Sequence, residues 1–344
     1  MGNKMRNANV DRIRGLAMLL VVLGHTMIGT TVGSESSFLF NIIWSLQMPL
    51  FMLISGYVTR YSRTVISVTA LINVLKKRTM SYLLPWITWT YLVRAFIWGQ
   101  RNYFDIRWLL WHMDSGYWFL VSIWTISVIF TISSYLSEKT MAHAQSSKKT
   151  VGVAFFYLLG MMILLVVGKN LGLSFLCIKF TVYYMPFFFL GYLFGKLQDT
   201  IFGWSCGKKA VELTVAVSLG IWLFILNRVQ LYNIGDDSVG ILIRVVASVS
   251  GCCAVCGLMC KYTSENNKIG GVLHWFGVHS LEVYTGHYLV LNLIPTRRAP
   301  EFLSVNGFAL TAANYLLSLI LVWVLVVALN SNSMLKKLLL GKDC

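Results

Sequence analysis

The segment VDRIRGLAMLLVVLGHT, residues 10–26, joins a charged start to a long apolar run. Asp11, Arg12 and Arg14 come first, and small or apolar residues then fill the chain up to His25. With the residues that follow, the run is long enough to cross a hydrocarbon core of about 30 Å. The segment therefore predicts a membrane-spanning helix that carries a titratable imidazole about halfway along.

The composition extends this prediction to the whole chain of 344 residues. Hydrophobic residues make up 57% of it and charged residues only 12%, whereas a soluble domain is usually about 25% charged. Strands of a membrane β-barrel alternate apolar and polar residues with period two, and the apolar runs here do not keep that period. We therefore expect an all-α, polytopic membrane protein.

Ten spans are predicted, joined by loops too short to form a soluble domain, so that residues 1–344 make one transmembrane domain. The predicted spans are roughly 15–33, 38–58, 80–98, 117–136, 151–168, 178–195, 210–227, 239–260, 272–294 and 309–329.

The net charge of +16 is read as a membrane-topology signal. Cytoplasmic loops of membrane proteins are enriched in Lys and Arg, and most basic residues fall on one side if the N-terminus is inside. An even number of spans then places the basic tail SMLKKLLLGKDC, residues 333–344, in the cytoplasm as well.

The chain contains no nucleic-acid motif. Its seven cysteines lie mostly in apolar helices and predict neither a disulfide framework nor a metal site.

Helix geometry relates the charged start of the first span to His25. Arg14 and His25 are 11 residues apart, which is three turns plus roughly 20° and about 16 Å of axial rise. Both side chains therefore lie on one face, and Asp11 can pair with Arg14 or lie at the positive end of the helix dipole. Gly15 and Gly24 allow a partner to approach closely. His25 is either a buried histidine bonded to another helix or a functional group facing a cavity.

Several ordered motifs follow this helix along the chain. They are SLQMPLFMLISGYVTRYS (45–62), LKKRTMSYLLPW (75–86), GYWFLVSIW (116–124), MPFFFLGYLFGK (185–196) and HSLEVYTGHYLV (279–290). Together with Arg14 and His25, this order resembles acyltransferase family three, the integral-membrane O-acyltransferases, and most closely its fucose O-acetylase-like subgroup. The resemblance covers about residues 8–290. Two positions depart from the family pattern, because Gln47 replaces a common His and Ser81 replaces a second Arg.

The resemblance implies a reaction, a location and partners. It implies transfer of an acyl group, usually acetyl, from cytoplasmic acetyl-coenzyme A to a sugar hydroxyl. The acceptor would be a cell-surface polysaccharide such as O-antigen, or its lipid-linked precursor, in the bacterial inner membrane. Acetyl-coenzyme A would be a substrate, with no tightly bound cofactor and no metal. Membrane lipid would be the remaining partner.

The candidate catalytic and donor-binding residues follow from this chemistry. A general base with a pKa near 6–7 assists an alcohol nucleophile by about 10²–10⁴, and His25 is the expected base. Asp11 lies too far along the helix to orient His25, so Glu282 and His287 are candidate partners from another span. The phosphates of the donor need cations, and arginine grips phosphate with two hydrogen bonds. Arg14, Arg78 and Lys77 are therefore the expected donor-binding residues, although Lys77 also fits a simple cytoplasmic anchor.

The loop at 98–119 is the expected acceptor-binding surface. It is rich in Trp and Tyr and carries Trp118, Tyr117, His112 and Asp114. The alternative is an aromatic belt at the membrane interface. Three other functions stay open at this point: a transporter or flippase of a lipid-linked glycan, an acyltransferase for a larger acyl group, and a regulatory protein that has lost the chemistry.

Overall fold

The computed structural model describes residues 7–203, 207–262, 268–295 and 298–342, and this part of the chain is almost entirely helical. Its single β-bridge joins Val32 and Glu301. The α-helices of the described residues are α1 (Ala8–Thr30), α2 (Phe38–Tyr57), α3 (Val68–Trp89), α4 (Ile106–Trp111), α5 (Trp118–Thr140), α6 (Ser146–Leu171), α7 (Ile178–Gly203), α8 (Gly207–Arg228), α9 (Ser238–Tyr262), α10 (Lys268–Val278), α11 (Ser280–Gly286), α12 (Val305–Ser331) and α13 (Ser333–Leu340). The all-α prediction is confirmed.

Eight helical stretches in the described residues are long and apolar enough to cross a membrane. They are Ala8–Thr30, Phe38–Tyr61, Trp118–Thr140, Ser146–Leu171, Phe175–Gln198, Lys209–Arg228, Ser238–Cys260 and Val305–Ser331. Each overlaps one of the ten predicted spans. The chain is therefore a multi-pass membrane protein.

The other two predicted spans have a different structure. Residues 80–98 are divided between the end of α3 and a π-helical segment, Thr90–Ile97. Residues 272–294 are divided into α10, α11 and a 3₁₀ turn at His287–Leu289. The hydropathy pattern that predicts these two spans shows only how apolar each segment is. It indicates neither a change from α-helical to π-helical hydrogen bonding nor a break in a helix.

The chain forms two compact units. Unit 1 consists of Met1–Tyr57 and Leu190–Ala328. Unit 2 consists of Val58–Phe189 and Leu329–Cys344. The boundaries fall inside α7 and α12, so each of these helices contributes to both units.

Close helix crossings at glycine organise unit 1. A Cβ atom added to Gly15 would lie 1.8 Å from the carbonyl oxygen of Leu273, and one added to Gly277 would lie 1.7 Å from that of Asp11. The backbones of α1 and α10 are therefore in direct contact. Gly191 of α7 makes a similar crossing with α2, where an added Cβ would lie 1.8 Å from the carbonyl oxygen of Leu53. Small residues permit this approach in membrane helices.

The buried amide of Asn41 joins α2 to the chain that follows α8. Its Nδ2 donates to the carbonyl oxygens of Leu226 (3.1 Å) and Val229 (2.7 Å), and its Oδ1 accepts from the backbone N–H of Leu231 (2.8 Å). The first two acceptors lie at the C-terminal end of α8, where carbonyl groups lack helical partners. One side chain thus satisfies the end of the helix and the start of the loop.

Polar side chains of α12 satisfy the irregular backbone that follows α11. Ser318 Oγ donates to the carbonyl oxygen of Val290 at 2.7 Å, and the N–H of Ile294 donates to Asn314 Oδ1 at 2.9 Å. Non-helical backbone is costly at membrane depth unless protein or water satisfies its polar groups. The two bonds give hydrogen-bond partners to the carbonyl group of Val290 and the N–H group of Ile294. They also fix the segment after His287 against α12.

In unit 2, the C-terminal helix α13 packs on α3. The indole N–H of Trp89 donates to the carbonyl oxygen of Leu339 at 2.9 Å. Gly341 ends α13 with φ = 61°, and an added Cβ there would lie 1.9 Å from the carbonyl oxygen of Met80. The left-handed φ and this close backbone approach together explain why glycine stands at the end of α13.

Candidate active site

Helix α1 carries both residues singled out at the start of the chain. The side chain of Asn7 caps the helix by accepting from the N–H of Asn9 at 3.1 Å, which places the charged residues in its first turns. Arg14 and His25 are both partly exposed, whereas Gly24 and Thr26, on either side of His25, are buried. Met18 and Val21, which lie between them on the face predicted from the 11-residue spacing, are fully buried.

Two residues from the broken segment after α11 contact His25 within unit 1. The ring centroids of His25 and His287 are 5.3 Å apart, and those of His25 and Tyr288 are 5.2 Å apart. His287 and Tyr288 also contact each other, with centroids 4.3 Å apart. The three rings therefore form one cluster, which we call the imidazole cluster. Of the two predicted partners of His25, His287 has a ring in contact with it.

His287 is fully buried. Its Nδ1 lies 2.6 Å from the carbonyl oxygen of Tyr284. Because a carbonyl only accepts, Nδ1 carries the hydrogen of this bond and Nε2 is left with a lone pair in the neutral ring. That Nε2 is buried and has no hydrogen-bond partner among the described residues. The structure therefore fixes the tautomer of His287 and leaves one acceptor of the cluster unused.

His25 makes a long contact with a phenol. Its Nε2 lies 3.5 Å from the hydroxyl oxygen of Tyr288, at the outer limit of hydrogen bonding. A substrate hydroxyl bound at about 2.6–3.2 Å would be a stronger partner for the same nitrogen. The geometry thus suits an imidazole that accepts a proton from an incoming alcohol, with Tyr288 beside the reacting atoms.

Charged residues lie close together near the N-terminal end of α1. Asp11 is buried. Its Oδ1 lies 3.9 Å from Arg14 Nη1, and its Oδ2 lies 3.9 Å from His274 Nδ1 on α10. The predicted pairing of Asp11 with Arg14 is observed. Sequence reasoning gave His274 no role, although the structure places it opposite the same carboxylate. About 16 Å of helix separates Arg14 from His25 in the imidazole cluster.

Glu282 occupies the first turn of α11 and is buried. It precedes His287 by five residues on the same broken segment. Its role as an orienting partner of His25 stays a prediction.

The other candidate donor-binding residues lie in unit 2, on α3. Lys77 is exposed and Arg78 is partly exposed. The neighbouring Thr79 accepts from the indole N–H of Trp124 on α5 at 3.1 Å. This bond ties the helix turn that carries Lys77 and Arg78 to a membrane-spanning helix.

The predicted acceptor-binding residues lie around the start of α5 in unit 2. Trp118 is partly exposed and packs on Phe180 and Tyr184, with ring centroids 4.3 Å and 5.6 Å away. Tyr117 is almost fully buried, and Asp114 is partly exposed. Trp118 and Asp114 are therefore partly accessible, whereas Tyr117 is buried.

His112 is the most accessible of the four predicted acceptor-binding residues. It is exposed and stacks on Trp108 with ring centroids 4.0 Å apart and an interplanar angle of 8°. Its Nδ1 lies 2.7 Å from the carbonyl oxygen of Trp108. The stack and this bond fix the ring from two sides and leave Nε2 facing away from that carbonyl.

Two residues that fix the candidate sites were not predicted from the sequence. They are Tyr288 in the imidazole cluster and Arg94 beside the predicted acceptor loop. Tyr288 contacts His25, and its only signal is its position next to His287. Arg94 lies in the π-helical segment, where it donates to the hydroxyl of Tyr103 at 2.9 Å. Tyr103 in turn lies 3.2 Å from Ser115 Oγ. These hydrogen bonds fix the predicted acceptor loop. The π-helical segment that carries Arg94 cannot be recognised in a hydropathy profile.

The helical fold and the imidazole cluster define a polytopic membrane protein with a candidate site for proton transfer inside a spanning helix. The chain belongs to acyltransferase family three, because the family model, described as an acyltransferase domain, matches residues 7–328. The resemblance drawn from the motifs is thus confirmed. No solved structure matches the chain significantly.

One curated relative is the nodulation protein NolL of Sinorhizobium fredii (strain NBRC 101917 / NGR234). It is 26% identical to this chain over 204 residues, which are 57% of this chain and 50% of the relative. The chain therefore spans about half the length of the curated relative that it matches.

Proposed function

We propose that the protein moves an acetyl group from cytoplasmic acetyl-coenzyme A to a sugar hydroxyl of a cell-surface polysaccharide or its lipid-linked precursor. The proposed location is the bacterial inner membrane. The observation that carries this proposal is the imidazole cluster of His25, His287 and Tyr288 on and beside a spanning helix of an acyltransferase-family chain. No tightly bound cofactor is required for this reaction.

The chemistry assigned to His25 is general-base catalysis. Its Nε2 accepts the proton of the sugar hydroxyl while the sugar oxygen attacks the thioester carbonyl. The tetrahedral intermediate then breaks its C–S bond, and the coenzyme A thiolate takes the proton from His25. The products are the acetyl ester and free coenzyme A, so the imidazole returns to its starting form. Tyr288, 3.5 Å from Nε2, is placed to hold the ring before the alcohol arrives.

The charged end of α1 supports a donor whose head stays at the membrane surface. Arg14 lies about 16 Å along the helix from His25, and an extended pantetheine arm reaches a similar distance. Asp11 holds Arg14 from the buried side. We therefore assign Arg14 to the donor phosphates and His25 to the thioester end. A role of His112, Asp114 and Trp118 in binding the acceptor is a separate proposal for unit 2.

A glycan analysis tests the proposed function. Cells lacking the gene are complemented with the intact protein or an empty vector, and the surface polysaccharide is examined by proton NMR. We expect an O-acetyl signal that returns only with the protein and identifies the acetylated sugar. Identical spectra from both strains would contradict acetylation of the polysaccharide.

Arg78 offers a separate test of donor binding. Replacing it with glutamine is expected to raise the KM for acetyl-coenzyme A by about tenfold or more, because a hydrogen bond to a charged group contributes about 1.5–3 kcal/mol. The kcat at saturating donor should change much less. The measurement is the initial rate of radiolabelled acetyl transfer in membranes as the donor concentration is varied.

The control for Arg78→Gln is Arg63→Gln, which removes the same charge from an exposed position outside α3. This control should leave the KM for the donor unchanged. Equal effects of the two substitutions would show a general charge effect, and Arg78 would lose its assignment.

A further inference from the structure

The C-terminal helix α13 presents an apolar face that the protein does not cover. Met334, Leu335 and Leu338 are 68%, 40% and 51% exposed, whereas Leu340 is fully buried. At 100° per residue, the three exposed residues share a stripe about 100° wide, and Leu340 points roughly opposite to its centre. The side of α13 that carries Leu340 therefore packs on the protein, and the protein leaves the apolar stripe on the opposite side uncovered.

The helix is well defined at both ends. The side chain of Asn332 accepts from the N–H groups of Met334 (2.9 Å) and Leu335 (3.2 Å), which caps its N-terminus. The N–H of Gly341 donates to the carbonyl oxygen of Lys337 at 3.1 Å, which closes its C-terminus. The bond from Trp89 to Leu339 then fixes the helix to α3. The exposed stripe is thus held in place by capping bonds and by packing.

The position of α13 along the chain indicates that the membrane surface covers this stripe. Only Asn332 separates it from the end of the spanning helix α12 at Ser331, so α13 begins where the chain leaves the bilayer. Lys336 and Lys337 lie within it, and the exposed Lys76 and Lys77 lie one turn before its contact at Met80. Lys337 lies about 60° from the edge of the stripe, and Lys336 is partly exposed on the other side of the helix, so their long side chains can both reach the headgroup region. An exposed apolar stripe with basic residues beside it is the pattern of a helix that lies in a membrane interface.

We propose that α13 is an interfacial helix, with Met334, Leu335 and Leu338 inserted at the acyl-chain boundary and Lys336 and Lys337 on anionic lipid headgroups. The partner is the bilayer surface itself. The helix would hold α3, the element that carries Arg78, at a fixed height on the membrane. This inference rests on the membrane topology and does not depend on the proposed acyl transfer.

Cysteine labelling of the full chain in lipid nanodiscs tests the insertion. Leu338→Cys is treated with a membrane-impermeant maleimide, and His143→Cys, in the exposed turn after α5, is the accessible reference. Labelling at each introduced site is quantified by peptide mass spectrometry, because native cysteines are present. In nanodiscs containing phosphatidylglycerol, we expect Leu338→Cys to react at least tenfold more slowly than His143→Cys. Equal rates would overturn the proposal.

The lipid charge tests the role of the lysines. Adding Lys336→Gln and Lys337→Gln to the Leu338→Cys variant should speed its labelling by on the order of fivefold per lysine, the factor that corresponds to about 1 kcal/mol per basic residue at an anionic surface. The same substitutions should have little effect in nanodiscs of phosphatidylcholine alone. Lys148→Gln, at an exposed lysine of α6, is the charge-matched control.

The remaining outcomes are also decisive. Labelling that is slow in both lipids and unaffected by the lysine substitutions would overturn the assignment of anionic headgroups. Size-exclusion profiles and apparent melting temperatures of all variants should match those of the parent. Slow labelling of Leu338→Cys that persists in a variant with an altered profile would be attributed to aggregation and would count against insertion.

Discussion

Replacing His25 with alanine is expected to lower acetyl transfer by about two to four orders of magnitude, the usual contribution of a positioned general base. The substitution removes the Nε2 that faces the hydroxyl of Tyr288. We expect His287 not to replace it, because its ring is fully buried and its centroid lies 5.3 Å from that of His25. The measurement is the transfer of radiolabelled acetyl from acetyl-coenzyme A in membranes that contain equal amounts of each protein.

Tyr288→Phe is the matched comparison for His25→Ala. It keeps the aromatic ring packed against both histidines and removes only the hydroxyl at 3.5 Å. Because this contact is long, we expect a loss of about tenfold or less. Retention of most activity by His25→Ala, with normal protein levels, would exclude His25 as the base. A larger loss in Tyr288→Phe than in His25→Ala would transfer the central role to the phenol.

The second large effect is expected at the crossing of α1 and α10. A Cβ on Gly277 would lie 1.7 Å from the carbonyl oxygen of Asp11, so Gly277→Ala must push the two backbones apart. Overpacking of this kind costs about 3 kcal/mol of unfolding free energy. The apparent melting temperature in detergent should fall clearly. Activity should fall too, because the displaced turn carries Asp11 and Arg14.

The same helix provides the control. Gly271 has open space where its Cβ would lie, with nothing within 4 Å. Gly271→Ala should leave stability unchanged or raise it slightly, since alanine favours helix over glycine by about 1 kcal/mol. If the two variants melt at the same temperature, the α1–α10 crossing is looser than the structure shows, and the argument from glycine fails.

Composition and hydropathy predicted the helical membrane fold, because burial in lipid requires long apolar helices whatever their detailed packing. Boundaries were less accurate. The first span was expected at 15–33, but α1 is Ala8–Thr30, since the cap at Asn7 lets the charged residues join the helix before the apolar run begins. The segment predicted as a span at 272–294 is divided into α10, α11 and a 3₁₀ turn. Side chains of α12 hold the irregular backbone that follows this segment, and such tertiary contacts cannot be deduced from hydropathy.

The candidate site shows the same division between local and long-range information. Arg14 and His25 share a face because of helix periodicity alone, so their relation could be read from the sequence. His287 was named as a possible partner through its motif, but only the fold brings its ring to His25. Tyr288 and Arg94 carried no pattern of their own. Their roles arise from tertiary contacts that no spacing rule encodes.

The irregular backbone after α11 has a consequence for motion at the site. His25 belongs to a continuous helix of 23 residues, whose amides are locked in a helical ladder. His287 and Tyr288 belong to a single 3₁₀ turn, followed by a stretch that α12 holds through Ser318 and Asn314. Short segments of this kind open locally at lower free energy than long packed helices. The imidazole cluster therefore combines a residue of a long, rigid helix with two residues of a short segment that opens more easily. Amide hydrogens near His287 should exchange before those around His25.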